Sequence, residues 1–161
     1  MSVSFLISQA KSVQKVINEN SAEIEVLDQK IGDGDHIFNI QRGLKLVVEL
    51  EDAIKDLPLA KALNMIAMKE RGKADVGEKT MMDVLIPVSE KLNELKNESE
   101  FKSGLNEVIK IAEERMLSTK DMLATKGRAS FLGERAKGHI DPGARSSQLI
   151  IDTICKSVIN N

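Results

Sequence analysis

Residues 100–124, EFKSGLNEVIKIAEERMLSTKDMLA, place Phe101, Leu105, Val108, Ile109, Ala112, Met116 and Leu123 at steps of three and four, apart from the adjacent pair Val108-Ile109 and one step of seven. This spacing gathers apolar groups on one face of a helix and leaves Glu and Lys on the other. Working outward, the same period recurs. A first helix is predicted over residues 3–26, with Leu6, Ala10, Val13, Val16 and Ile17 on its apolar face. A second covers 39–55, with Ile40, Leu44, Val47, Val48 and Ile54, and ends at Asp56-Leu57-Pro58, because Pro58 disfavours a helical residue before it. A third carries Leu59, Leu63, Ile66 and Ala67 to about Arg71. A fourth begins near Thr80, an N-cap by residue type, and buries Leu85, Val88, Leu92 and Leu95, with Pro87 as a site of irregularity. The sixth follows Pro142-Gly143 and carries Ser147, Ile150, Ile151, Ile154 and Val158. No alternating run is long enough for a strand, so the expected fold is all-α, with about six amphipathic helices.

Composition agrees. Of 161 residues, 42% are apolar and 30% charged, which is globular rather than disordered; the core must be aliphatic, since there is no Trp, no Tyr and only four Phe. A net charge of −2 provides no electrostatic footprint for nucleic acid. Cys155 is the single cysteine, which excludes an intrachain disulfide and a cysteine-clustered metal site. The N-terminal stretch shows neither a basic signal-peptide start nor a long apolar run, so no membrane association is expected and the chain reads as soluble and cytoplasmic, a single domain over 1–161.

Eight of the ten glycines fall in three stretches, Gly32 and Gly34, Gly72 and Gly77, and Gly127, Gly133, Gly138 and Gly143; His36 and His139 lie in the first and third. The third stretch is longer than a helix connection requires, and its Phe131, Leu132 and Ile140 argue for packing rather than a loose connector. The first, Asp28-Gln29-Lys30-Ile31-Gly32-Asp33-Gly34-Asp35-His36, sets three aspartates at spacings of five and two. Gly32 and Gly34 permit a tight curl, and converging carboxylates call for a cation, with hard oxygen donors favouring Mg²⁺ or Ca²⁺ over zinc. An EF-hand fails: counting from Asp33, position twelve is Leu44 and position six is Phe38. The loop feeds the start of the second helix, where free amides and the dipole favour an anion, so cation and phosphate meet at one place. The second stretch, leading into Thr80, and the third, with Lys126, Arg128, Arg135, Lys137 and His139, supply cations suited to a metal-bridged polyanion. The same residues also suit plain turns, with Asp35 or Asn39 as an N-cap, and solvated surface charge; spacing leaves both readings open.

Several blocks in order resemble the nucleotide-binding subunit L of dihydroxyacetone kinases. They are Asp28 with Ile31-Gly32-Asp33-Gly34-Asp35-His36 and Asn39; Arg71-Gly72-Lys73-Ala74; Gly77-Glu78-Lys79-Thr80-Met81 with Asp83; Gly127-Arg128-Ala129-Ser130-Phe131-Leu132-Gly133-Glu134-Arg135; and Gly138-His139-Ile140-Asp141-Pro142-Gly143-Ala144. The resemblance implies an up-and-down antiparallel helical barrel that binds ADP or ATP at one end through two Mg²⁺. It puts the metal ligands on Asp28, Asp33 and Asp35. It puts the nucleotide contacts on His36, Ile37, Phe38, Asn39, Gly72, Thr80, Met81, Arg135, Asp141, Pro142 and Gly143, with Met81 and the apolar part of the third stretch sandwiching adenine. It also implies phosphoryl transfer to dihydroxyacetone or a related keto-sugar held on a partner subunit, with ATP or a phosphotransferase-system phosphocarrier as the donor.

Two departures accompany the resemblance. Residues 44–70 contain no Gly and no Ser, where the family has a Gly-Gly-Ala-Ser-Gly-Pro stretch with flanking helices, and Ile37 stands where Gly is common. A shortened barrel leaves an apolar flank open to self-association or a partner. The second reading is therefore a shortened, catalytically impaired relative that binds a nucleotide or a partner and regulates.

Overall fold

The computed structural model of the chain describes residues 3–49, 51–54, 75–95 and 98–160. These form a helical bundle of α1 (Val3–Glu19), α2 (Ser21–Ile31), α3 (His36–Glu49), α4 (Glu51–Ile54), α5 (Met82–Glu94), α6 (Glu98–Ser118) and α7 (Pro142–Asn160). Thr119–Asp121 and Arg128–Ala136 are 3-10 segments, and no strand occurs among the described residues. The expected third helix, with Leu59, Leu63, Ile66 and Ala67, and the block holding Gly72 lie outside the described residues, as does the side chain of Ile54.

The single first helix expected over 3–26 is two. Asn20 leaves the helical path (φ −104°, ψ 11°), and its side-chain amide donates to the Val16 carbonyl at 2.8 Å, closing α1 locally. The buried stripe of α1 is Val3, Ile7, Ala10, Val13 and Ile17, so Leu6 sits at its margin rather than its centre.

Two apolar clusters make most of the core. One joins α5, α6 and α7 through Val84, Val88, Leu105, Val108, Ala112, Met116, Ala144 and Cys155. The other joins α1, α2, α3 and α7 through Val13, Ile17, Ile24, Ile37 and Leu149. Helix α7 is common to both, with Ile151 and Val158 against the first and Ile150 and Ile154 against the second. Gly104 lies inside α6 because Leu95 occupies its side-chain space: a Cβ there would sit 2.2 Å from Leu95 Cδ2. Leu92, Phe101 and Leu123, expected inside, are exposed. Leu123 is outside because α6 stops at Ser118, where the buried Thr119 hydroxyl turns back to the Met116 carbonyl at 2.7 Å.

The long third stretch is folded. Ala129, Leu132 and Ala136 pack with Ala124 on Ile31 at the end of α2, whereas Phe131, expected to pack, is 86% exposed. None of the described helices is long and apolar enough to cross a membrane.

Candidate functional site

The α2–α3 turn brings three acidic side chains to one point. Asp28, in the last turn of α2, is buried, and its Oδ2 accepts the His36 N–H at 2.9 Å, tying that carboxylate to the start of α3. Asp33 and Asp35 stand on the exposed side of the turn, and one carboxylate oxygen from each of the three lies within 4.8 Å of the others. Gly32 is required here by space: a Cβ would fall 1.8 Å from Asp28 Oδ1. Gly34 takes φ +80°, a conformation that favours glycine. The Asp35 carbonyl accepts the Asn39 N–H at 3.1 Å, so Asp35 also occupies the cap position of α3.

Arg128 crosses from the 3-10 segment to this cluster. Its guanidinium pairs with Asp33 and lies 3.5 Å from Asp35 Oδ2. The His36 ring sits behind the carboxylates, with Nε2 3.1 Å from Ser146 Oγ, while the Ser146 hydroxyl donates to the Gly143 carbonyl at 3.0 Å. Burial holds the imidazole below its usual pKa, against the opposing pull of Asp28 and Asp35.

The wall opposite is the turn before α5. Buried Asp83 accepts the N–H of Gly77 at 2.5 Å and of Thr80 at 2.7 Å, and Thr80 Oγ1 accepts the Met82 N–H at 3.1 Å. The Asp83 carboxylate thus gathers two amides of the turn, and the Thr80 hydroxyl accepts a third at the start of α5. Lys79 adopts φ +59° and is almost fully buried. Its Nζ donates to the carbonyls of Thr119 at 2.5 Å and His139 at 2.6 Å, which staples the α5 turn to the residue that follows α6 and to the segment leading into α7. Burial lowers the Lys79 pKa, and Asp141, Asp121 and Asp83 oppose that shift. Asp141 caps α7, its Oδ2 accepting the Ala144 N–H at 2.8 Å, with Pro142 in the first helical position. Desolvation raises the Asp141 carboxyl to about 6.

A cleft of about 240 Å³ joins these parts. Asp28, Asp33, Asp35, His36, Asn39, Thr80, Asp141 and Pro142 line it, as the sequence expects. Ile37 is helical and buried in the core, Phe38 and Met81 are exposed, and Arg135 is exposed away from the lining. Gly143 packs against Met81, with a Cβ there 3.3 Å from Met81 Cβ. Arg128 and Lys79 are the additions that spacing did not single out. Arg128 stood in a recognisable block and among several loop cations, but nothing in the sequence paired it with the acidic turn. Lys79 stood in a recognisable block, but nothing in the sequence marks a buried lysine.

The DAK2 domain profile matches residues 59–156, more than half of the chain, and the chain belongs to that family. Similar proteins share most of their length with it. The ADP-binding subunit DhaL of the PTS-dependent dihydroxyacetone kinase of Lactococcus lactis is 34% identical over 184 positions, covering 88% of this chain and 91% of that subunit. The ADP-binding subunit DhaL of PEP-dependent dihydroxyacetone kinase 1 of Listeria innocua is 32% identical, covering 89% and 91%. The corresponding Escherichia coli subunit is 30% identical, covering 86% and 89%. Each alignment runs longer than the 161 residues present here, so these relatives carry residues without a counterpart in this chain.

Proposed function

We propose that this chain is the nucleotide-binding subunit of a dihydroxyacetone-type kinase, a single domain over residues 1–161 that works in the cytoplasm with a separate subunit holding the keto-sugar. One observation carries the reading: Asp28, Asp33 and Asp35 converge at the N-terminus of α3, in a chain that aligns with three ADP-binding subunits over most of its length. The residues fit Mg²⁺. Three hard oxygen donors lie within reach of one centre, Asp28 is fixed by an amide, and Gly32 leaves its carboxylate the room it needs. Asp28, Asp33 and Asp35 would hold two Mg²⁺, which would supply charge neutralisation for the phosphate tail of the nucleotide.

The chain's own groups do the positioning. The first-turn amides of Ile37 and Phe38 face the N-terminal end of α3, where the helix dipole favours an anion. Thr80 and Asn39 line the same cleft and supply a hydroxyl and an amide for phosphate oxygens. Exposed Met81, seated on Gly143, gives adenine an apolar face, with Pro142 beside it. The family resemblance alone adds Gly72, outside the described residues, and Arg135, away from the cleft lining, as nucleotide contacts. The names of the relatives favour ADP as a resident carrier recharged by a phosphotransferase-system phosphocarrier, over ATP taken from solution, and favour the kinase subunit over a regulatory relative.

Calorimetric titration of ADP with and without Mg²⁺ tests the reading. Binding is expected with Mg²⁺ and is expected to collapse in Asp33→Ala/Asp35→Ala. Equal ADP affinity in the presence and absence of Mg²⁺ defeats it. Native mass spectrometry should show a co-purified adenine nucleotide with two metal ions.

A further inference from the structure

The proposed metal ligands are not alike. Asp28 is buried and bonded to a backbone amide, whereas Asp33 and Asp35 are about half exposed and share one cationic partner, Arg128, from 93 residues further along the chain. Arg128 opens the 3-10 segment, directly after Gly127 at φ +65°. Ala129, Leu132 and Ala136 pin that segment onto Ile31, beside the acidic turn. The guanidinium is therefore aimed at the two carboxylates by a packed segment, with a glycine hinge at its base. Its five donors and planar fork suit carboxylate and phosphate equally well.

We propose that Arg128 is an exchangeable counter-charge: it neutralises Asp33 and Asp35 before loading, yields them to the divalent ion, and transfers to the nucleotide's phosphates. The proposal rests on the reading of these aspartates as metal ligands. A divalent ion on the same oxygens would stand within a few ångströms of the guanidinium, and the two positive charges repel. The displaced fork then has an anion beside it in the same cleft, at the start of α3. Metal alone must expel Arg128 without compensation, while metal with nucleotide gives it a new partner. The site therefore loads both together rather than metal first.

This scheme makes Arg128→Gln act in opposite directions on two measurements. Mn²⁺ is the probe, titrated by electron paramagnetic resonance against the full chain with and without ADP. Without ADP, Arg128→Gln should bind Mn²⁺ about three- to thirtyfold more tightly than the parent, because two exposed ion pairs no longer compete. With ADP present, it should bind the Mn²⁺–ADP pair about tenfold more weakly or worse. Lys110→Gln, an exposed cation of α6 outside the cleft, should change the metal-only affinity less than twofold. Thermal melting checks that both variants are folded. Arg128→Gln shifting both affinities the same way, or leaving metal-only affinity unchanged, overturns the exchange, as does Lys110→Gln matching it. A parent chain that takes up no Mn²⁺ even with ADP instead refutes the metal-site reading itself.

Discussion

Gly32→Ala is the sharpest test of how the acidic turn is built. The added methyl would lie 1.8 Å from Asp28 Oδ1, 2.9 Å from its Cγ and 2.9 Å from its backbone carbonyl oxygen, so the carboxylate or the turn must move. Moving the carboxylate breaks its bond to the His36 N–H. Losing a charged hydrogen bond costs about 1.5–3 kcal/mol, and overpacking a tight site costs a further 1–3 kcal/mol when it does not relax. With partial relaxation, the expected loss is about 2–4 kcal/mol. For a chain of this size that lowers Tm by roughly 4–16 °C. Urea unfolding followed by circular dichroism measures it, and Asp28→Ala supplies the second arm of a double-mutant cycle. Without the carboxylate only the 2.9 Å approach to the residue 28 carbonyl oxygen is left, so the double variant should be more stable than the sum of the two single costs by at least about 1 kcal/mol. A Gly32→Ala cost below about 0.5 kcal/mol, or strict additivity, would refute the reasoning.

Asp141 makes stability depend on pH. Its folded carboxyl keeps a proton up to about 6, while the unfolded one releases it near 3.8, so the folded state binds more protons between those values. Stability should therefore fall as pH rises through that window, by at most about 3 kcal/mol, and Asp141→Asn, which can still cap α7, should flatten the slope in denaturant titrations at successive pH values. Lys79→Met should cost about 2–5 kcal/mol by leaving buried carbonyls unpaired. Lys79→Gly should be destabilised as well, although it relieves the left-handed backbone, and a stabilised Lys79→Gly in thermal melts would count against the staple. Gly104→Ala should destabilise by about 1 kcal/mol through its clash with Leu95, yet stabilise by about 0.5–1 kcal/mol in a Leu95→Ala background, where only helix propensity remains. The same sign in both backgrounds, measured by urea unfolding, would exclude that explanation.

Helix type was legible because apolar spacing reports the period of the backbone directly, and α5, α6 and α7 follow it. Helix ends were less so. Asn20 breaks the first helix with a side-chain bond to the preceding turn, and Thr119 ends α6 through a hydroxyl bond; both residues are also found within helices, so the pattern alone does not mark them. The convergence of Asp28, Asp33 and Asp35 could be read because Gly32 and Gly34 permit a tight curl, while the same spacing also suits a plain turn. The role of Asp83 in gathering two amides was visible only as part of a motif block. Arg128 and Lys79 were harder, since what distinguishes them is a partner 93 residues away for one and, for the other, carbonyls 40 and 60 residues away. Linear spacing does not encode such tertiary distances. Phe131 misled for the converse reason: an apolar residue in a folded segment need not face inward.

Helix α7 forms a wall of both hydrophobic clusters, and it comes last of the described elements in chain order. During synthesis, neither half of the protein can seal until residues 144–158 have left the ribosome. Nascent chains halted before that point should remain sensitive to protease in α1–α3 and in α5–α6, and emergence of α7 should protect both clusters in one step.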